Sequence, residues 1–320
     1  MERLTRATYY ALLLLGSMQI ESHTAVDHPA VDFHQSMRVL KYSEALSIAF
    51  SQEVYGRTLQ LYQRNAPELV AWQKEAFIPK VIHHIWFGAP LSEEDKALRA
   101  TWEQQHPTWR FVLWTDRMSN DARGMVATSW QEVQELLAQA DVRFITVDVS
   151  TLDFGNRTFF DQARNYGEKS DILKWEIIYR LGGVYIDCDF ECLKPLDDLH
   201  HRYAFYTGLQ PLDTQVVQLG AALFAAQPQH PILAHAVKTI EGDRHHKQIV
   251  IRTGPIHFTN SFVAMAGKEY VDVALPATYF YPMSYEQVKA SRNEWLRPES
   301  YAVHHWAGSW LKPEAFIRQC

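Results

Sequence analysis

The sequence predicts an α/β fold in which helices cover both faces of a mostly parallel central sheet. From residue 80 onward, short apolar stretches typical of strands alternate with longer stretches whose apolar residues recur at helical spacing. This alternation is typical of parallel strands joined by crossover helices, which bury the sheet on both sides. The sequence has no internal repeats and no long Gly/Ser-rich linkers, so we expect one large domain over residues 77–320.

The first elements of this domain follow one another closely. Pro79 precedes the first predicted strand, and Ser92 is a suitable N-cap for the helix that follows it. The predicted order is strand 80–87, helix 93–105, strand 110–114, helix 130–139 and strand 143–147. Residues 26–76 are rich in polar residues and helical in pattern, especially over 42–63, and predict a helical N-terminal extension.

Residues 170–189 predict a helix, a glycine stop and a short buried strand. Ser170 is a suitable N-cap, and apolar residues then recur at helical spacing as far as Leu181. Two consecutive glycines follow, and glycine readily adopts the positive φ at which helices commonly end. The apolar run 184–186 then predicts a strand.

Two aspartates follow that strand and carry the strongest chemical signal. Asp187 and Asp189 alternate with Cys188, so in an extended chain both carboxylates point to one side and the thiol to the other. A hard divalent cation such as Mg²⁺ or Mn²⁺ explains the pair, because it binds carboxylate oxygens and keeps positions open for phosphate. Ligands of open α/β sheets bind at the carboxyl ends of strands, where this pair lies.

The composition is that of a globular protein and excludes several classes. Of 320 residues, 21% are charged and 47% hydrophobic. The net charge of −6 argues against a nucleic-acid partner. Three cysteines cannot form a disulfide framework, and Cys188 with Cys192 lacks the second cysteine pair expected of a zinc site.

The first 25 residues allow two interpretations. An apolar run over 7–16 follows two arginines, as in a signal peptide or a signal anchor, although it is shorter than the roughly 20 residues of a membrane-spanning helix. The same run also suits an amphipathic or buried N-terminal helix. The first interpretation predicts a membrane-associated or secretory-pathway protein, and the second predicts a cytoplasmic one.

Four segments in this order resemble glycosyltransferase family 32, whose members carry an Asp-x-Asp motif. The segments are 78–86, 170–189, 253–255 and 304–310, and Ser-Asp followed by Gly-Gly-x-Tyr-x-Asp-x-Asp is the specific part. The family includes yeast-type initiating α-mannosyltransferases and capsular polysaccharide enzymes, with the large clostridial glucosylating toxins as distant relatives. The resemblance implies a GT-A-type nucleotide-diphospho-sugar transferase fold and a metal-dependent, retaining hexosyltransferase.

The resemblance also implies roles for individual residues. The metal, Mn²⁺ or Mg²⁺, is expected on Asp189 directly, on Asp187 directly or through water, and on His305. Asp187 is also expected to contact the donor ribose or sugar, and Gln218 to lie near the reacting sugar carbon. The other implied donor contacts are Trp86 with the base, Asp171 with the sugar hydroxyls, Lys174 with the sugar or phosphates, and Trp310 with the diphosphate.

Purely structural roles compete with several of these assignments. Trp86 also suits a core position at the end of a buried strand. Asp171 and Lys174, three residues apart on a helix, also suit a surface ion pair. His304 is the alternative to His305 as a ligand.

The sequence does not determine the donor or the acceptor, and it leaves two other functions as alternatives. GDP-mannose and UDP-hexoses fit the same metal chemistry as donors, and a glycan, a lipid or a protein fits as acceptor. One alternative is a degenerate transferase that binds a glycan or nucleotide without turnover. Another is an aspartyl-phosphate phosphatase, in which the first aspartate attacks phosphorus. Glu191 stands where those phosphatases usually have Thr or Val, which counts against that function.

Overall fold

The computed structural model describes residues 30–37, 44–116, 122–212, 216–243 and 245–312. The segment interpreted as a signal, an anchor or a helix, residues 1–25, lies outside these ranges. Within them, no helix combines the length and the apolar character needed to span a membrane.

An eight-stranded sheet forms the centre of the described part of the chain. Its strands are β1 (Val81–Trp86), β2 (Arg110–Thr115), β3 (Met125–Ala127), β4 (Phe144–Asp148), β5 (Gly183–Ile186), β7 (Phe205–Leu209), β8 (Leu219–Ala226) and β9 (Asp272–Leu275). Their order is β3-β4-β2-β1-β5-β8-β7-β9. Strand β8 is antiparallel to both of its neighbours, and the other pairings are parallel. The predicted mostly parallel sheet is confirmed.

Helices flank this sheet. They are α1 (Phe33–Met37), α2 (Ala49–Asn65), α3 (Glu93–Gln105), α4 (Trp130–Ala138), α5 (Arg157–Gln162), α6 (Tyr166–Leu181), α7 (Asp197–His200), α8 (Pro231–Asp243), α9 (Ile249–Arg252), α10 (Pro255–Met265) and α11 (Arg292–Trp295). Helix α6 packs on β5 and β8, α10 packs on β8, and α2 packs on the edge strand β9. The α/β class is therefore confirmed.

A second, two-stranded sheet was not predicted from the sequence. It pairs β6 (Phe190–Cys192) with β10 (Ala302–His304) in antiparallel register. Helix α3 packs against β6, and its Trp102 indole N–H donates to the Phe190 carbonyl at 2.8 Å. This small sheet brings the C-terminal histidines to the two aspartates.

The predicted start of α6 was wrong. The helix begins at Tyr166, and the side chain of Asn165 accepts hydrogen bonds from the N–H groups of Gly167 and Glu168. Asn is as good an N-cap as Ser, and Asn165 captures these N–H groups one turn earlier, so Ser170 lies inside the helix. The start of α3 is as predicted, because Ser92 accepts the N–H of Asp95 at 3.0 Å.

Gly183 connects α6 to β5 in a conformation that few other residues adopt. Its φ is +96°, and a Cβ atom there would lie 2.6 Å from the Val81 carbonyl oxygen. Both the positive φ and the contact with the backbone of the neighbouring strand β1 exclude a side chain.

We expect Gly183→Ala to lower the free energy of unfolding by about 2 kcal/mol or more, because the strain and the backbone clash add. Gly56→Ala is the matched control, since Gly56 lies in α2 and a Cβ atom added there would have no neighbour within 4 Å. That change should raise stability by up to about 1 kcal/mol. Urea unfolding measures both, and equal stabilities for the two variants would contradict the strained conformation.

Candidate active site

Two carboxylates and an imidazole converge at the carboxyl end of β5. Asp187, Asp189 and His304 each offer a ligand atom, and these atoms lie within 4.8 Å of one another. The two aspartates lie in a turn between β5 and β6, not in the extended chain that we expected. In this turn the Phe190 N–H donates to the Asp187 carbonyl at 3.3 Å. The carboxylates nevertheless reach one site, because the short turn keeps them close.

Asp187 is held by hydrogen bonds to residues of β5 and β8. The Tyr185 hydroxyl donates to its Oδ1 at 2.5 Å, and the Asp187 N–H donates to the Ala222 carbonyl at 2.8 Å. Burial raises the pKa of Asp187 to about 6, while Lys174 opposes the rise and Asp189 adds to it. The negative charge of Asp189 thus disfavours a second negative charge on Asp187. A cation bound by both carboxylates would remove this repulsion.

Asp189 is held in its charged form by the C-terminal segment. His304 Nε2 lies 3.2 Å from Asp189 Oδ1, and the Ala307 N–H donates to Oδ2 at 3.0 Å. Burial favours a higher pKa for Asp189, but the His304 imidazole and the Ala307 N–H outweigh it and lower that pKa. Asp189 is thus the carboxylate better prepared to bind a cation directly.

The histidine beside the aspartates is His304, whereas the sequence favoured His305. In the β6–β10 ladder His304 pairs with Phe190, and their rings stack at 4.8 Å. Side chains alternate along a strand, so His305 points to the other face. There its Nε2 lies 3.2 Å from Glu191 Oε2. The choice between adjacent histidines thus depends on strand register.

The three groups fit a divalent cation. Two carboxylates with one imidazole nitrogen suit Mn²⁺ better than Mg²⁺, which prefers oxygen. The Nδ1 atom of His304 is buried and has no hydrogen-bond partner among the described residues. An imidazole with an unpaired nitrogen beside two acids is a donor set that a transition metal can use.

Asp171 and Lys174 form an ion pair that is buried, not exposed. Lys174 Nζ lies 2.6 Å from Asp171 Oδ1, and their side chains are 4% and 14% exposed. The Thr253 hydroxyl donates to Asp171 Oδ2 at 3.3 Å. Burial raises the pKa of Asp171 even though Lys174 and Thr253 oppose it. Lys174 also opposes the rise in the pKa of Asp187, so its charge acts on both acids.

Trp86 and Gln218 lie at or near the same edge of the sheet. Trp86 is the last residue of β1, is half-buried, and donates its indole N–H to the Ala89 carbonyl at 2.7 Å. Gln218 precedes β8, in which Leu223 pairs with Ile186 at the end of β5, and it donates to Gln210 Oε1 at 2.7 Å. Trp310 belongs to the short turn Ser309–Leu311, and its side chain lies outside the described part of the structure.

Two other histidines that precede Trp86 belong to the core. His83 and His84 are both buried, and burial lowers the pKa of each to about 3. His83 accepts the Trp114 indole N–H at 3.2 Å, and His84 Nδ1 lies 2.8 Å from the Ile186 carbonyl. Each imidazole thus has a hydrogen-bond contact within the core, although His84 Nε2 is buried without a partner among the described residues.

Sequence reasoning missed the groups that support the ligands. The hydrogen bond from Tyr185 to Asp187 could have been predicted, because Tyr185 lies two residues before Asp187 and side chains two apart in a strand point to the same side. The guanidinium of Arg292 donates to both carboxylate oxygens of Glu191, at 2.9 and 3.1 Å. These two residues are 101 positions apart, so no local sequence pattern predicts the contact. With His305, this arginine lowers the pKa of Glu191 to about 2.

The Asp-x-Asp motif of this site lies in a region that matches a family of glycosyltransferases. Residues 92–206 match the family model described as "Glycosyltransferase sugar-binding region containing DXD motif". The sequence of this region is therefore similar to that family, as the resemblance predicted. The matched region contains Asp171, Asp187 and Asp189 but not Trp86 or His304.

Curated relatives and a solved structure are also similar to the chain. The chain is 26% identical to inositol phosphoceramide mannosyltransferase 1 of Schizosaccharomyces pombe, over 58% of this chain and 51% of that protein. It is also 26% identical to mannosyl phosphorylinositol ceramide synthase SUR1 of Saccharomyces cerevisiae, over 63% of this chain and 45% of that protein. The chain therefore spans about half the length of these relatives. A solved structure titled PaToxG Glycosyltransferase is similar with a TM-score of 0.45 and 17% identity, over 72% of this chain and 78% of that one.

Proposed function

We propose that this chain is a metal-dependent, retaining hexosyltransferase, which moves a sugar from a nucleotide-diphosphate donor to a glycan, lipid or protein acceptor. The observation that carries the proposal is the convergence of Asp187, Asp189 and His304 within 4.8 Å. The family match adds independent support, because it covers both aspartates. The presence of all three ligands together argues against a transferase that has lost turnover.

The ligand roles follow from the environments of the three groups. Asp189, whose pKa is lowered, and His304 would hold Mn²⁺, and Asp187 would bind it directly or through a water. A cation there supplies a Lewis acid for the negative charge that grows on the leaving diphosphate. The Tyr185 hydroxyl keeps the Asp187 carboxylate oriented for this task.

The buried pair Asp171–Lys174 supports binding of the donor sugar. A carboxylate accepts hydrogen bonds from sugar hydroxyls, and Thr253 and Lys174 hold this one in place. Lys174 carries a single ammonium group and no planar fork, so it would act on the sugar or phosphates as a point charge. Gln218, at the start of β8, is proposed near the reacting carbon.

A retaining reaction fits the way in which the acids of this site are already engaged. Asp187 accepts from Tyr185, Asp189 accepts from Ala307, and Asp171 is paired with Lys174. None of the three is poised as a general base or a nucleophile. The leaving phosphate oxygen is therefore proposed to take the acceptor proton on the same face of the sugar.

The names of the curated relatives favour mannose as the sugar. Both relatives are named for transfer of mannose to, or synthesis of a mannosylated form of, an inositol-containing ceramide. We therefore propose GDP-mannose as the donor ahead of UDP-hexoses, and a lipid as the acceptor ahead of a glycan or protein.

Donor hydrolysis tests turnover without knowledge of the acceptor. Transferases often hydrolyse their donor slowly when no acceptor is present, and a protein that only binds does not. We expect release of mannose from GDP-mannose that depends on Mn²⁺ and stops with a chelator. Binding of GDP-mannose without hydrolysis would favour the degenerate transferase, if no hydrolysis is seen with Mn²⁺ or Mg²⁺ and none with UDP-hexoses either.

The proposed stacking of Trp86 on the nucleotide base predicts a specific loss. We expect Trp86→Ala to weaken nucleotide binding about tenfold or more, because base–aromatic stacking contributes about 1–3 kcal/mol. Isothermal titration with GDP and Mn²⁺ measures the loss. Trp130→Ala is the matched control, since Trp130 is also half-buried and also donates its indole N–H to a carbonyl, at 2.8 Å. If Trp86→Ala lowers the melting temperature but not the affinity, Trp86 is only a packing residue.

A further inference from the structure

Glu191 connects two segments of the chain beside the metal ligands. Arg292, on α11, places its fork on the two carboxylate oxygens at 2.9 and 3.1 Å. His305 Nε2 approaches the same carboxylate at 3.2 Å. Glu191 lies in β6, and His305 directly follows β10. One carboxylate thus joins β6, α11 and the end of β10.

The ladder that this carboxylate joins is short. Each strand of the β6–β10 pair has three residues, and an isolated two-stranded sheet is marginally stable. The position of His304, the last residue of β10, therefore depends on the contacts that fix the end of this strand. Backbone contacts help, because the His305 N–H donates to the Asp189 carbonyl at 3.0 Å. Glu191 supplies the side-chain contact next to that bond.

The chain turns sharply just beyond His305. Trp306 has a φ of +54°, which is uncommon for a bulky residue. This turn returns the Ala307 N–H to Asp189 Oδ2 at 3.0 Å. A conformation of this kind persists only where its surroundings fix it. The Glu191–His305 contact lies directly before the strained residue and fixes the chain on that side.

We propose that Glu191 is a positioning residue of the metal site. By fixing His305, it keeps the preceding imidazole, His304, against Asp189. It does not touch the proposed metal itself. This inference rests on the proposed function, because it assigns Glu191 a task only if the three ligands bind a cation.

The competing explanation is a plain surface ion pair, and the chain offers a matched example of one. Glu191 and Arg292 are 19% and 46% exposed, whereas Glu103 and Arg123 are 16% and 49% exposed. The Glu103–Arg123 pair, at 2.6 Å, joins α3 to the segment before β3. Ion pairs at exposed positions of this kind contribute little to stability. Glu103→Gln therefore reports what loss of such a pair does on its own.

Titration of Mn²⁺, followed by the spin-resonance signal of the free ion, tests the proposal without reference to turnover. We expect Glu191→Gln to weaken Mn²⁺ binding about tenfold, as for other residues that orient metal ligands, with Glu103→Gln unchanged. Arg292→Gln, at an exposed position that does not endanger folding, should weaken it less. The variant that combines Glu191→Gln with Arg292→Gln should bind Mn²⁺ as tightly as Glu191→Gln alone, because both changes act through one carboxylate.

The melting temperatures of the metal-free variants complete the test. Glu191→Gln and Glu103→Gln should lower them by similar small amounts, so that only the metal affinity separates the two. Unchanged Mn²⁺ affinity in Glu191→Gln, or equal losses in both variants, would overturn the positioning role and leave the proposed function standing. If the unaltered chain binds no Mn²⁺, both proposals fall.

Discussion

Asp189→Asn should reduce Mn²⁺-dependent turnover of the donor at least about a hundredfold while the protein stays folded. The side chain keeps its shape, and its oxygen can still accept the Ala307 N–H that now lies 3.0 Å away. What is lost is the charge that His304 and Ala307 stabilise in the native site. Since that charge is proposed to hold the cation, the metal and the diphosphate would no longer be held together.

Asp198→Asn is the control for this change. Asp198 pairs with Arg202 at 2.9 Å, and its side chain is 43% exposed, so the same substitution there removes a charge without touching the site. We expect normal turnover in the control and a melting temperature within a few degrees of the unaltered chain in both variants. Near-normal Mn²⁺-dependent turnover in Asp189→Asn would remove Asp189 from the metal site.

His304→Gln should weaken Mn²⁺ binding at least about tenfold more than His305→Gln does. His304 lies 3.2 Å from Asp189 and is a member of the three-ligand cluster. His305 lies on the other face of the strand end, against Glu191. Its loss should therefore act on the metal only through the position of its neighbour.

The two adjacent histidines serve as controls for each other. Both variants replace an imidazole by an amide, both lie at the end of β10, and direct Mn²⁺ titration compares them. A greater loss in His305→Gln would contradict the geometry and support the ligand that the sequence pattern favoured. Equal losses would mean that the two imidazoles act only as a unit.

Much of the fold is predictable because its signals are local. The N-cap of α3 and its bounds, Glu93–Gln105, agree with the prediction, since Ser92 and the acidic first turn are encoded within a few residues. The strands β1, β2 and β4 lie within about two residues of the predicted ranges because each is a short apolar run. The start of α6 failed because two capping residues, Asn165 and Ser170, compete and local pattern does not rank them.

The site was only partly predictable because its completion depends on long-range pairing. Asp187 and Asp189 are adjacent to one strand end and could be found from spacing alone. The choice of His304 over His305 follows from the β6–β10 register, which joins segments more than a hundred residues apart. The environment of Glu191 depends on the same register, so sequence spacing gives it no distinct signal.

The central claim is that the cluster of Asp187, Asp189 and His304 binds a nucleotide diphosphate through a divalent cation. A thermal-shift panel with GDP and UDP, each with and without Mn²⁺, tests it most directly. A ligand at a hundred times its Kd stabilises the folded state by about 2.7 kcal/mol. We predict that GDP and Mn²⁺ together raise the melting temperature clearly more than either does alone. No rise with GDP or UDP in the presence of Mn²⁺, in a folded protein, would contradict the claim.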